Sequence, residues 1–131
     1  KLARLVKEEG GAMFVAHPFR EVYSWGEGRL MPSLTIAEAC QMPIFHVVQG
    51  MEVFNGATRH QANEFALEVC QTLEMSGIGG SDAHSTMGVG SCATIFENPI
   101  RNEEDLVREL RAGRFQAALR QDGGFVRMGR G

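Results

Sequence analysis

Residues 60–84, HQANEFALEVCQTLEMSGIGGSDAH, decide the fold. Ala62, Phe65, Ala66, Val69, Cys70 and Leu73 recur at the i, i+3, i+4 spacing of one apolar helix face, which predicts a helix over 58–75. The small-residue run Ser76-Gly77-Ile78-Gly79-Gly80 predicts a tightly packed strand over 76–82. A helix feeding a buried strand that ends in polar residues is the repeating unit of an α/β fold. In extended chain, residues two apart share a side, so Asp82 and His84 are expected to project together with Ala83 turned away. A carboxylate and an imidazole converging at a strand end suit Zn²⁺, Mn²⁺ or Fe²⁺. Ser81 would face the other way, which argues against a Ser81-Asp82-His84 triad.

Two further segments have the same shape. Met13 to Ala16 reads as a buried strand over 12–16 with His17 at its end, stopped by Pro18. Gly50-Met51-Glu52-Val53-Phe54-Asn55-Gly56 reads as a short strand, then a polar end and a glycine. Three strands ending in ligand-capable residues suggest one shared face, because sites in parallel α/β folds lie at the carboxyl ends of strands. Arg20, three residues after His17, is a candidate phosphate contact, since a guanidinium can grip a phosphate bidentately. Glu52, in mid-strand, reads as a supporting residue rather than a metal ligand, and lining of the site by Asn55 is the lesser reading. His46, between Phe45 and Val47, reads as packed, and His60 as solvated.

Outside these segments, residues 1–9 read as a helix stopped by Gly10-Gly11, and 18–34 as a long loop. Thr35 to Glu38 has the pattern of a capping box. Cys92 to Phe96 reads as a strand, Asn102 as the cap of a helix ended by Gly113, and Phe115 to Leu119 as a last strand. Residues 1–121 are taken as one domain and 122–131, rich in glycine, as a flexible tail.

Ala16-His17-Pro18-Phe19-Arg20, Gly50-Met51-Glu52-Val53-Phe54-Asn55 and Gly80-Ser81-Asp82-Ala83-His84, in that order, resemble the later motifs of the PHP (polymerase and histidinol phosphatase) superfamily, most closely its stand-alone metal-dependent phosphoesterases. The stretch from Asn102 to Ala117 is similar to their C-terminal segment, and the resemblance spans roughly residues 1–120. It implies an α/β fold with a mostly parallel sheet, part of a distorted (β/α)₇ barrel. It also implies metal ligands at His17, Asp82 and His84, with divalent Zn, Mn or Fe as cofactor. The family's opening His-x-His motif has no counterpart among His17, His46, His60 and His84. The chain is therefore expected to be the C-terminal part of a longer metal-dependent phosphoric ester hydrolase, and inactive by itself. Two other readings stay open: a non-catalytic association domain, and a mononuclear metal protein built on His17, Asp82 and His84.

Composition narrows the partners. The 131 residues are 44% hydrophobic and 22% charged with net charge −3, ordinary for a globular chain and without the basic stripe that nucleic acid requires as main partner. No apolar run approaches the length of a membrane span, so no membrane partner is expected. Three scattered cysteines, Cys40, Cys70 and Cys92, predict reduced thiols in a cytoplasmic protein rather than a disulfide framework. The expected partners are a small phosphorylated substrate of the full-length protein and, through open sheet edges, a second copy of the chain.

Overall fold

The computed structural model describes residues 1–127. In chain order its elements are α1 (Leu2–Glu8), β1 (Phe14–Val15), β2 (Tyr23–Gly26), β3 (Arg29–Pro32), α2 (Ile36–Cys40), β4 (Gly50–Asn55), α3 (His60–Thr72), β5 (Ser76–Gly80), β6 (Cys92–Phe96), α4 (Glu103–Ala112), β7 (Phe115–Gln121) and β8 (Gly124–Arg127). A 3-10 turn, Pro43–His46, precedes β4, and a second, Thr86–Gly88, precedes β6.

The three strands read from the sequence as one set do form one parallel sheet, in the order β1-β4-β5. β4 is the middle strand and every residue of it is buried. A strand covered on both faces is apolar without strict alternation, as Met51, Val53 and Phe54 are. α3 lays Ala62, Phe65, Ala66, Val69 and Cys70 into the core against this sheet. Each large side chain so buried contributes about 1.5–3 kcal/mol. The free thiols of Cys40, Cys70 and Cys92 are all buried. Burial pushes Cys70 up to about 11.

The rest of the sheet structure departs from the mostly parallel barrel expected. β6, β7 and β8 pair antiparallel, as do β2 and β3, and the described residues form no closed barrel. A helix between two strands suggested a parallel crossover for β6 and β7. Instead Phe96 pairs with Phe115, so the chain leaves and re-enters the sheet at the same end. Glu109 explains the reversal. Its fully buried carboxylate accepts from Asn98, just after β6, at 2.9 Å and from Nε and Nη2 of Arg114, just before β7, at 2.9 and 2.6 Å. One side chain of α4 thereby holds the exit and the re-entry together.

β6 and β7 pack against β5 without extending its ladder. The Thr94 hydroxyl substitutes for the missing ladder: it accepts from Gly79 N at 3.0 Å and donates to Gly79 O at 2.9 Å. A side chain at Gly79 would run into the Ala93 backbone. Close approach of two backbones is what selects glycine here.

Local signals at the helix ends are realised as read. Thr35 and Glu38 form the full capping box, Asn102 accepts from Asp105 N, and Gly113 closes α4 in the left-handed region. The segment read as a loop over 18–34 instead contains the β2–β3 hairpin. Its two-residue turn has Glu27 at φ 50° and Gly28 at φ 75°, the positive pair that matches the twist of a tight hairpin. Within the region read as tail, Gly124–Arg127 pairs with β7; residues 128–131 lie outside the described residues. His46 is exposed rather than packed, while His60 is exposed as read. No described helix is long and apolar enough to cross a membrane.

Candidate functional site

The carboxyl ends of β1, β4 and β5 carry the polar cluster. Its centre is Asn55, the last residue of β4 and only 2% exposed. Its Oδ1 accepts from Ala57 N at 3.0 Å and from the Thr58 hydroxyl at 3.0 Å, which folds the chain over the strand end. Its Nδ2 donates to Glu52 Oε2 at 3.0 Å and to Asp82 Oδ2 at 3.2 Å. Strict alternation would send Glu52 and Asn55 to opposite faces. The register of β4 against β5 shifts between Glu52 and Phe54, and this irregularity turns both side chains to one side.

Arg20 reaches the same cluster from β1. The turn after Val15 is anchored by Phe19, whose ring packs 4.9 Å from Phe65 and 5.9 Å from Phe45. Arg20 N donates to His17 O at 3.2 Å, closing the turn. The guanidinium then lies across the ends of β4 and β5. It donates to Asp82 Oδ2, to Asn55 Oδ1 at 3.4 Å and, through Nε, to the Thr58 hydroxyl at 3.4 Å. The Arg20–Asp82 ion pair, 62 residues apart in sequence, ties the β1 loop to the β5 loop. Its side chains are 32% and 25% exposed, so water screens the attraction.

The three residues nominated as metal ligands sit differently from the reading that named them. β5 ends at Gly80, and Asp82 adopts φ 47°, in the left-handed region. Alternation therefore does not carry through to His84. His84 is exposed, and its Nδ1 lies 2.8 Å from the Asp82 carbonyl oxygen. His17 also has positive φ, at 30°, and its main-chain N donates to Glu52 Oε2 at 2.7 Å. Glu52 thus braces a turn held at positive φ. Strain of this kind is stored where a local structure over-determines it, commonly at functional sites.

As a holder of metal, the cluster does not fit as placed. Among the described residues no group of three or more His, Cys, Asp or Glu is arranged to hold an ion. Asp82 Oδ2 already accepts from Arg20 and Asn55. Glu52, 9% exposed, has no ion-pair partner among the described residues. Its charge is felt by Cys92, whose thiol is pushed up first by burial and then by the Glu52 carboxylate.

Asn63 and Thr58 were not singled out from the sequence. Asn63 Oδ1 accepts from Asn55 N at 3.1 Å and Asn63 Nδ2 donates to Asn55 O at 3.0 Å. The available signal was a polar residue inside the apolar stripe of α3, between Ala62 and Phe65. Thr58 had none, because its role depends on where Arg20 lands.

Neither the curated proteins nor the solved structures yield a match to this chain. The family model PHP_C, described as PHP-associated, matches residues 60–115, a stretch that includes Asn63, Asp82 and His84 and leaves His17, Arg20, Glu52 and Asn55 upstream. That match identifies the stretch from α3 to the start of β7 as a PHP-associated region, consistent with the C-terminal part of a PHP superfamily protein.

Proposed function

We propose that this chain is the C-terminal part of a metal-dependent phosphoesterase, and that Arg20, Asn55 and Asp82 form the side of its site that meets the substrate phosphate. The observation that carries this reading is the convergence of a guanidinium, an amide and a carboxylate at the carboxyl ends of three parallel strands. The PHP-associated match supports it from an independent direction. A planar guanidinium suits two phosphate oxygens and offsets charge that develops on them in hydrolysis. Divalent ions of the Zn, Mn or Fe kind belong to the proposal for the longer protein. They need donors beyond His17, Asp82 and His84, which do not hold an ion alone as placed.

One observation favours a second reading, a non-catalytic association domain. The Asp82 carboxylate is already balanced by Arg20, as it would be in a purely structural site. Assay of an aryl phosphate monoester and a diester, with Mn²⁺ and with Zn²⁺, separates the two. The phosphoesterase reading predicts turnover by a longer protein carrying this chain and none by the 131 residues alone. Inactivity of both with every metal supports the association domain.

A further inference from the structure

Away from the polar cluster, a cavity of about 760 Å³ lies at the amino end of β5, lined by the ends of α3 and α4 and the start of β7. That volume is within the range of small-molecule sites. The apolar part of its lining comes from Val53 and Phe54 of β4, Leu67 of α3 and Phe115 of β7. Its charge is one-sided. Glu74 supplies a carboxylate, and among the described residues no lysine, arginine or histidine lines it. Both helices finish at its wall, and a helix C-terminus carries roughly half a negative charge. The last turn of α3 has no basic residue to offset that charge. The guanidinium of Arg111, in the last turn of α4, donates to Gly10 O at 3.0 Å and does not line the cavity. Glu74 makes no ion pair among the described residues.

The backbone at Glu74 is an independent sign. α1, α3 and α4 end in the same way: a left-handed residue donates to the carbonyl three back, and the next residue donates to the carbonyl five back. In α1 and α4 that left-handed residue is glycine, Gly10 at φ 73° and Gly113 at φ 66°. In α3 it is Glu74, at φ 53°, with its N donating to Gln71 O at 3.0 Å and Met75 N donating to Cys70 O at 2.9 Å. Glycine takes this conformation without strain, and a residue with a side chain does not. A carboxylate kept there runs against the local preference that the other two helices obey, and outliers of this kind point to function.

We propose that this cavity binds a small organic cation, an ammonium or guanidinium on an apolar body, with its charge at Glu74 and the two helix ends and its body against Val53, Leu67 and Phe115. The site is separate from the Arg20 cluster, which lies at the carboxyl ends of the strands, and it does not depend on the phosphoesterase reading.

The test is an NMR titration of the isotope-labelled 131-residue chain with phenethylammonium, phenethyl alcohol and hydrocinnamate, which share a ring and differ in charge. Phenethylammonium should shift the amide signals of residues 74–77 and 112–117. It should bind about fivefold or more tightly than the alcohol, the factor of an exposed ion pair, and hydrocinnamate should bind most weakly. Glu74→Gly should melt at or above the wild type and bind the cation about fivefold more weakly, with alcohol binding unchanged. Glu74→Gln, which keeps a side chain at the left-handed position and removes the charge, should lose the cation preference likewise. A Glu74→Gly variant that melts below the wild type makes Glu74 a structural residue and overturns the proposal. So does cation binding undiminished in both variants. Cation binding by the wild type no tighter than that of the alcohol, shifts confined to other residues, or no binding of any probe overturns it as well.

Discussion

The side-chain amide of Asn63 satisfies both main-chain polar groups of Asn55, accepting from its N at 3.1 Å and donating to its O at 3.0 Å. A helix residue thus completes the end of the central strand, beyond the last β1 pairing at Met51. Asn63→Ala would leave a buried N–H and a buried carbonyl without partners, at about 1–3 kcal/mol for each group. Asn63→Asp keeps the acceptor and loses the donor, so it should fall between Ala and the wild type. Urea denaturation of the three proteins checks this. An Asn63→Ala midpoint equal to the wild type would show that the amide bridge carries no stability.

Gly79 and Thr94 join β5 to the antiparallel sheet, and two substitutions probe the joint separately. Gly79→Ala places a methyl against the Ala93 backbone and should destabilise by ~1–3 kcal/mol through overpacking. Thr94→Val keeps the shape but removes the hydroxyl that bonds both Gly79 N and Gly79 O, with a loss of ~1–3 kcal/mol through unsatisfied groups. Thermal melts of both variants measure these losses. A stable Gly79→Ala would mean that β5 and β6 are further apart in solution.

Glu109 makes stability depend on pH in a defined window. The hydrogen bonds from Arg114, and after them from Asn98, hold its carboxyl down at about 2, from an ordinary value of 4.5. A depressed carboxylate stabilises the folded chain above its unfolded value and loses that effect as pH falls through its folded value. The gap in Tm between wild type and Glu109→Gln should therefore be constant above pH 4.5 and should shrink steadily between pH 4.5 and about 2. A gap that persists undiminished to pH 2 would show that Glu109 acts by shape and not by charge.

Much of this architecture is legible in the sequence where the signal is local. The apolar stripe of α3, the capping box at Thr35, the Asn102 cap and the Gly113 stop each depend on residues within a few positions of one another, and each forms as read. The β2–β3 hairpin was hidden because its turn is Glu-Gly rather than Asn-Gly or Asp-Gly, and its strands are short and mostly exposed. The direction of β7 was hidden because it depends on one buried carboxylate reaching residues on both sides of α4. The grouping of β1, β4 and β5 into one sheet was also legible, from their shared pattern of an apolar run with a polar end. The pairing of Arg20 with Asp82 depends on the irregularity in β4 and the left-handed turn at Asp82, and neither leaves a pattern in the residues.

β1 is the outer strand of the parallel sheet and pairs only with β4 among the described residues. Its open edge is where we expect self-association, because an exposed row of main-chain groups invites another strand. Light scattering across a concentration series should show a mass above that of one chain. Phe14→Pro, which removes a donor from the strand, should shift the distribution toward the monomer. A single-chain mass at every concentration would rule this contact out.

The most direct measurement is the rate of phosphate ester hydrolysis by a longer protein carrying this chain, compared between wild type and Asp82→Asn. The substitution keeps the size of the side chain and an acceptor for Arg20 but removes the charge around which the cluster is built. If the ends of β1, β4 and β5 form the phosphoesterase site, kcat/KM should fall by about 100-fold or more while the circular dichroism spectrum is unchanged. Hydrolysis by Asp82→Asn at a rate within about twofold of the wild type, below the factor of a single lost catalytic contact, would place the chemistry elsewhere and contradict the assignment.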